Sequence, residues 1–397
     1  MKVVSRISIL SIFIFSQFLV ACSDTGEKIE GYLLAIPKAD ISDFLDEKMA
    51  ENPMPGLSFA LINDGEIVYR INKGFASLED SIPVTNQTIF EGASISKPVF
   101  AYFVMTFVEE GKLDLDKPLY TSYPHPDLLD DPRHKLLTAR MILSHQGGLP
   151  NWREDSEDKK LRFIQDPETA YNYSGEGYQY LANVLRKIER TDWKGLEAMF
   201  QARVAMPLGL QHTGFIQTAE MRKNKAQPYD EDGNLIDWRN NYWFQKDDTV
   251  FTAPAAIHSE PKEFASWMIS LMNEAVLEKS SFDALFSPQV KIHDSDFPVS
   301  YSLGFVKLDV PETDIFYHSG NNIGFTSAFV LDRSKKWGFV IFSNSEYAED
   351  LSIELLIFLI AGERNEQLLS VIGILTLGIL IGFIWLIVLG IRKAMGI

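Results

Sequence analysis

The sequence of 397 residues predicts an α/β (α+β) protein. One antiparallel sheet is flanked by helices, carries a large and mostly helical insert, and is followed by one C-terminal transmembrane helix. Three observations lead there. Alternating apolar runs near the amino end and again late in the chain imply a sheet completed by distant segments. Helical patterning fills the stretch between them, about Glu110 to Asn273. Leu368 to Ile391 holds no charged residue and would reach about 36 Å as a helix, enough for a bilayer core.

In chain order, Lys2 and Arg6 precede an apolar stretch, Ile7 to Val20, and Leu19-Val20-Ala21-Cys22 resembles a bacterial lipoprotein box. Residues 1–21 therefore read as a signal peptide. Cys22 is the single cysteine, so no intramolecular disulfide is possible, and it stands where lipid attachment would occur. An uncleaved signal anchor is the alternative. Residues 22–38 read as a polar tether and 39–362 as the globular domain. Asp40 to Asn52 is amphipathic and predicts the first helix. Gly56 to Ile62 and Ile67 to Asn72 alternate about Asp64-Gly65, a hairpin signal. Ser302 to Leu308, Thr326 to Leu331 and Gly338 to Ser343 predict strands, and Leu351 to Ala361 a closing helix. Beyond the span at 368–391, Arg392 and Lys393 place the last residues in the cytoplasm and the domain outside it.

Net charge is −17, which argues against nucleic acid as a partner and fits solubility. The sequence has no His-x-x-x-His or Cys-x-x-Cys spacing and no glycine-rich phosphate loop, so no metal or cofactor is expected. The expected partners are a small-molecule or peptide substrate and a membrane.

The chemistry centres on Ile89-Phe90-Glu91-Gly92-Ala93-Ser94-Ile95-Ser96-Lys97. Residues three apart share a helix face, so the Lys97 amine can reach the Ser94 hydroxyl. A hydroxyl is a weak nucleophile until a neighbouring base takes its proton. Ser156–Lys159 and Ser259–Lys262 repeat the spacing, but the first lies in a charged run and the second reads as a helix N-cap. Only Ser94 precedes a long apolar helix, Val99 to Val108. On spacing alone an ordinary capped helix remains the competing reading.

Two further segments bear on the choice: Tyr171-Asn172-Tyr173-Ser174-Gly175 and Tyr317-His318-Ser319-Gly320-Asn321. Ser-x-x-Lys, Tyr-Ser-x and His-Ser-Gly, in this order, resemble the serine β-lactamase and penicillin-binding superfamily, closest to the class C β-lactamase and D,D-peptidase branch. Leu137 to Pro150 and Met206 to Thr213 resemble further segments of that family. The resemblance covers roughly 40–361 and implies a β-lactamase/transpeptidase-like fold. It also implies a serine hydrolase forming an acyl-enzyme through Ser94, with Tyr173 shuttling protons and Lys97 depressing its pKa. Either Tyr173 or Lys97 would be the base. By the same resemblance, the backbone N–H groups of Ser94 and Asn321 would hold the oxyanion. His318, Ser319 and Gly320 would bind the substrate carboxylate or ester.

The chain departs from the class C pattern at two places. Gly175 stands where those enzymes carry asparagine, and His318 where they carry lysine; both favour peptidase or esterase action over penicillin hydrolysis. His145 reads as a supporting or core histidine. Asn240 to Phe244 form an aromatic, amide-rich loop that reads first as packing against the insert and otherwise as a wall of the cleft. The leading expectation is a membrane-tethered hydrolase of D-alanyl peptides, esters or related acyl compounds. The alternatives are a β-lactamase, a slowly acylating receptor for β-lactams or peptidoglycan fragments, and a scaffold without turnover.

Overall fold

The computed structural model describes residues 27–153, 157–237, 249–292, 298–309, 313–348 and 351–361. A small clasp of β1 (Lys28–Glu30) and β2 (Ala35–Pro37) leads into helix α1 (Lys38–Glu51). The hairpin about Asp64-Gly65 follows as β3 (Gly56–Asn63) and β4 (Glu66–Ser77). Both turn residues take positive φ, 51° at Asp64 and 74° at Gly65, as a tight two-residue turn requires. After β5 (Ile82–Pro83) and β6 (Phe90–Glu91), helix α2 (Ser96–Glu109) runs through the centre, buried from Ser96 to Phe107. An apolar surface on every side suits a helix walled in on all sides.

The insert is less helical than expected. Its helices are α3 (Ala139–Leu143), α4 (Gly175–Ile188), α5 (Trp193–Phe200), α6 (Ala219–Asn224) and α7 (Pro261–Met272), joined by long turns. A short strand, β7 (His258–Ser259), pairs with β6. Ser259 is therefore no N-cap. Glu260 caps α7 by accepting from the N–H groups of Lys262 and Glu263, and Ser259 Oγ lies 2.8 Å from Thr213 Oγ1.

Helix α8 (Lys279–Phe286) precedes β8 (Val290–Ile292), β9 (Val299–Tyr301), β10 (Val306–Leu308), β11 (Ile315–Asn322), β12 (Phe325–Asp332) and β13 (Trp337–Ser343). The strand expected over Ser302 to Leu308 is in fact a hairpin arm with a turn before it. Gly304 has φ 91°, and Ser302 N–H donates to Phe305 O at 2.8 Å. The apolar residues Leu303 and Phe305 gave an alternating pattern, but they anchor a turn rather than extend a strand. Nine antiparallel strands form one sheet in the order β5-β4-β3-β13-β12-β11-β10-β9-β8. One face carries α1 and the closing helix α9 (Leu351–Ala361), with Phe44 stacked on Phe358 at 4.4 Å. The other face meets α2, α7 and the insert.

One part of the expected fold is corrected. Among the described residues no helix is long and apolar enough to cross a membrane. The closing helix α9 has 11 residues, about 16 Å, and packs on the sheet. The stretch 368–391, the signal peptide, Cys22 and the loop at 240–244 lie outside the described residues.

Candidate active site

Ser94 sits in the turn between β6 and α2, and that turn is bonded on every side. Gly92 N–H donates to Ile257 O at 2.7 Å, and Gly92 O accepts from Ser327 Oγ at 2.7 Å. Ser96 Oγ donates to Ala93 O at 2.5 Å and accepts from Ile257 N–H at 2.8 Å. These contacts hold Ala93 at φ 46°, a left-handed conformation that an alanine adopts only when its surroundings enforce it. The strain lies one residue before the expected nucleophile.

Lys97 is fully buried on the first turn of α2. Its Nζ lies 3.0 Å from Ser94 Oγ and donates to Pro254 O at 3.0 Å. Burial holds the amine well below the usual lysine value, because removing a cation from water favours its neutral form. Tyr173 joins them. Burial pushes its phenol up, and a hydrogen bond with Ser94 opposes that shift. Lys97 was expected to depress the tyrosine, and it does not. Its Nζ lies over the ring face, 4.5 Å from the centroid, and burial decides the direction.

Tyr173 is held by the loop that ends in α4. Ser174 caps that helix by accepting from Gly177 N–H at 2.9 Å, and its Oγ donates to Pro150 O at 2.7 Å. Its backbone N–H donates to His145 Nδ1 at 3.0 Å, and the His145 ring lies 4.4 Å from that of Tyr173. His145 is thus a support: an acceptor for the loop and a platform for the phenol. Burial, with Lys97 and His318 nearby, holds it well below the ordinary histidine value. A Cβ on Gly175 would come 2.9 Å from Trp152 Cη2. The indole therefore fills the space a side chain at that position would enter.

The third segment lies on β11. Gly320 is the point of closest approach: a Cβ there would meet Gly92 O at 2.4 Å and Ser94 N at 2.8 Å. Only glycine lets the strand lie against the turn that carries Ser94. Asn321, next on the strand, is exposed and pairs with Thr326 of β12. Ser319 is half-buried beside it. His318 differs from expectation. Its Nδ1 lies 2.6 Å from Ser319 O, and a carbonyl can only accept, so Nδ1 carries the proton. Nε2 then accepts from Tyr301 Oη at 3.1 Å. Burial, with the nearby Lys97 amine, lowers its pKa to about 3. Both nitrogens are engaged by protein and the ring is neutral, so the His318 side chain does not present the donor expected for a substrate carboxylate.

The structure thus brings Ser94, Lys97 and Tyr173 into contact and sets the His318 to Asn321 strand beside them. Several partners carried no signal in the sequence. The Pro254 carbonyl that holds Lys97 is a backbone group. Glu91 pairs with Lys225 and also accepts from Asn322 Nδ2 at 2.8 Å. Tyr301 ends β9, a strand of three residues that lies just before the one expected from the sequence. Among the described residues no acidic, histidine or cysteine cluster could hold a metal ion.

The Beta-lactamase family model matches residues 41–361. The chain belongs to the beta-lactamase family. Esterase EstB of Burkholderia gladioli is 30% identical over 216 residues, a match spanning 48% of this chain and 54% of EstB. The chain thus spans about half the length of that relative. A class C beta-lactamase structure superposes with a TM-score of 0.69 at 19% identity, covering 82% of this chain and 96% of that one. The D-alanine carboxypeptidase AmpC from Burkholderia cenocepacia gives 0.68 at 16%, covering 81% and 97%. These two share the fold. The family is one of serine hydrolases, and the Ser94–Lys97–Tyr173 contact is an arrangement able to transfer an acyl group through serine.

Proposed function

We propose that this chain hydrolyses uncharged carboxylic esters through an acyl-enzyme on Ser94, with Lys97 as the base. The neutral Lys97 amine takes the Ser94 proton as Oγ adds to the carbonyl carbon. The backbone N–H groups of Ser94 and Asn321 hold the resulting oxyanion. As the tetrahedral adduct collapses, the Tyr173 phenol donates its proton to the departing alkoxide and recovers one from the Lys97 ammonium. Water then enters, loses its proton to the same relay, and releases the acid with Ser94 restored.

The observation that carries the substrate class is His318. Its two ring nitrogens are occupied by Ser319 O and Tyr301 Oη, so it has neither charge nor a free N–H to offer a carboxylate. A D-alanyl peptide or a β-lactam would bring such a carboxylate to this strand, whereas a simple ester would not. Trp152 over Gly175 likewise supplies an apolar wall where amide recognition would need a polar side chain. The N-terminal signal and the Cys22 box support placing this activity on the outer side of the cytoplasmic membrane.

A direct test uses the same D-alanyl-D-alanine peptide as free acid and as C-terminal methylamide, alongside p-nitrophenyl butyrate and nitrocefin. The butyrate should be turned over fastest, and blocking the peptide's carboxylate should not slow its hydrolysis. A strong preference for the free acid, or for nitrocefin, would return the peptidase or lactamase reading to first place.

A further inference from the structure

We infer that Glu91 is a positioning residue that clamps the two sides of the oxyanion site together. The inference rests on the reading of Ser94 as nucleophile and of the Asn321 N–H as oxyanion donor. Those two donors come from separate segments, the turn before α2 and the strand β11. Their separation is set by how closely β11 approaches the turn. Gly320 supplies the steric limit, since any Cβ would strike Gly92 O and Ser94 N. Steric permission alone does not hold two segments in place.

Glu91 supplies the attraction. It lies three positions before Ser94 and is buried, at 4% exposure. Its Oε2 accepts from Asn322 Nδ2 at 2.8 Å, and Asn322 is the residue after Asn321. The same Asn322 amide donates to Ala255 O at 3.1 Å. Ala255 adjoins Pro254, whose carbonyl holds Lys97 Nζ at 3.0 Å. One side chain on β11 is thereby tied both to the nucleophile turn and to the segment that seats the base. A buried carboxylate is tolerable only when paired, and Lys225 is bonded to Glu91 Oε1. The ion pair fixes the carboxylate, and the carboxylate fixes the strand. Preorganised donors work only when held close to the geometry the transition state needs, which gives such a clamp kinetic weight.

The test uses the full chain with Asn322→Ala, Glu91→Gln and Glu91→Ala. Four quantities are read: kcat and KM for p-nitrophenyl butyrate, Kd for phenylboronic acid, and the thermal midpoint. Phenylboronic acid adds to a serine oxygen and places a tetrahedral oxygen where the oxyanion forms. Asn322→Ala should lower kcat by about tenfold to a hundredfold, less than loss of a donor outright, with KM changed by less than about twofold. Boronate Kd should rise by the same factor as kcat falls. Glu91→Gln should lose less than Glu91→Ala, because it keeps one acceptor oxygen for Lys225 and Asn322 to share. Should Asn322→Ala not be recovered folded, Asn322→Ser carries the same comparison. Unchanged boronate affinity in a folded Asn322 variant overturns the clamp while leaving the hydrolase intact. So does a loss of kcat that only follows the thermal midpoint. A wild-type chain that neither binds boronate nor cleaves the ester overturns the Ser94 reading, and the clamp with it.

Discussion

Lys97 Nζ and Ser94 Oγ are 3.0 Å apart, with the amine wholly enclosed and tied to the carbonyl of Pro254. The amine can accept a proton only when neutral, and burial favours that form. Ser94 thus lies in the turn that enters α2, and Lys97 stands three residues on, in the first turn of that buried helix.

The first prediction concerns the pH dependence that follows. The rise of kcat/KM with pH should have its midpoint far below the ~10.4 of a free lysine. Lys97→Arg keeps a cation that cannot give up its proton near neutrality, so it should lose about 10²- to 10⁴-fold in kcat/KM. Stability carries the same signature. Between the depressed folded pKa and the ordinary lysine value, the unfolded chain holds a proton that the folded chain does not. Stability therefore rises with pH across that window. Lys97→Met should flatten the rise in denaturant melts taken from neutral to alkaline pH; an unchanged slope would mean the amine is charged in the fold.

Tyr173 is the second case. Its phenol is pushed up by burial and bonded to Ser94, so it stays protonated and can donate but not act as a phenolate. Tyr173→Phe should lower kcat by about 10²- to 10⁴-fold for alkyl esters, whose leaving groups need a proton. Esters with p-nitrophenolate as leaving group should suffer less, since that anion departs unaided. Equal losses for the two ester types, measured by steady-state turnover, would remove the phenol from the proton path.

The first residues of the site were legible in the sequence because each signal was local. Ser94 and Lys97 are three positions apart, and Tyr173 stands in a short Tyr-Ser-x motif that leads into a helix. The hairpin at Asp64-Gly65 was equally local. What stayed hidden was long-range. Glu91 meets Asn322 across 231 positions, and Lys97 meets a backbone carbonyl 157 positions away. Nothing in the residue types announces such pairings. His318 shows a subtler limit: the residue was found, but its charge depends on burial and on the nearby Lys97 amine. Tyr301 stands at the mouth of a turn whose apolar spacing imitates a strand.

Gly320 gives the third prediction. Gly320→Ala would set a methyl group 2.4 Å from Gly92 O and 2.8 Å from Ser94 N. Neither backbone atom can swing aside as a side-chain tip would. Overpacking of this kind costs about 1 to 3 kcal/mol of stability. Moving the strand away from the turn should also lower kcat by about 10²- to 10³-fold, the usual effect of losing an oxyanion donor. Turnover near the wild-type level in a folded Gly320→Ala protein would show that β11 does not serve the reaction.

The fourth prediction tests the neutral ring of His318. The Nδ1 proton donates to Ser319 O and Nε2 accepts from Tyr301 Oη, so protonating the ring would turn the second contact into two opposed donors unless Tyr301 rotated. Nitrogen NMR should find the Nδ1–H tautomer unchanged down to about pH 5, since the pKa is lowered to about 3 by burial and the nearby Lys97 amine. Below the ordinary histidine value of ~6.5 the unfolded chain takes up a proton that the folded chain refuses. Stability should therefore fall as pH drops toward 3, by roughly 3 kcal/mol between pH 6.5 and pH 4 from this group. His318→Asn should remove that part of the slope, measured by denaturant unfolding at each pH. Tyr301→Phe should raise the histidine pKa only modestly, because burial is the larger cause. A His318 ring that titrates near 6.5 in the folded wild type would restore a charged donor to the strand, and with it the case for substrates bearing a carboxylate.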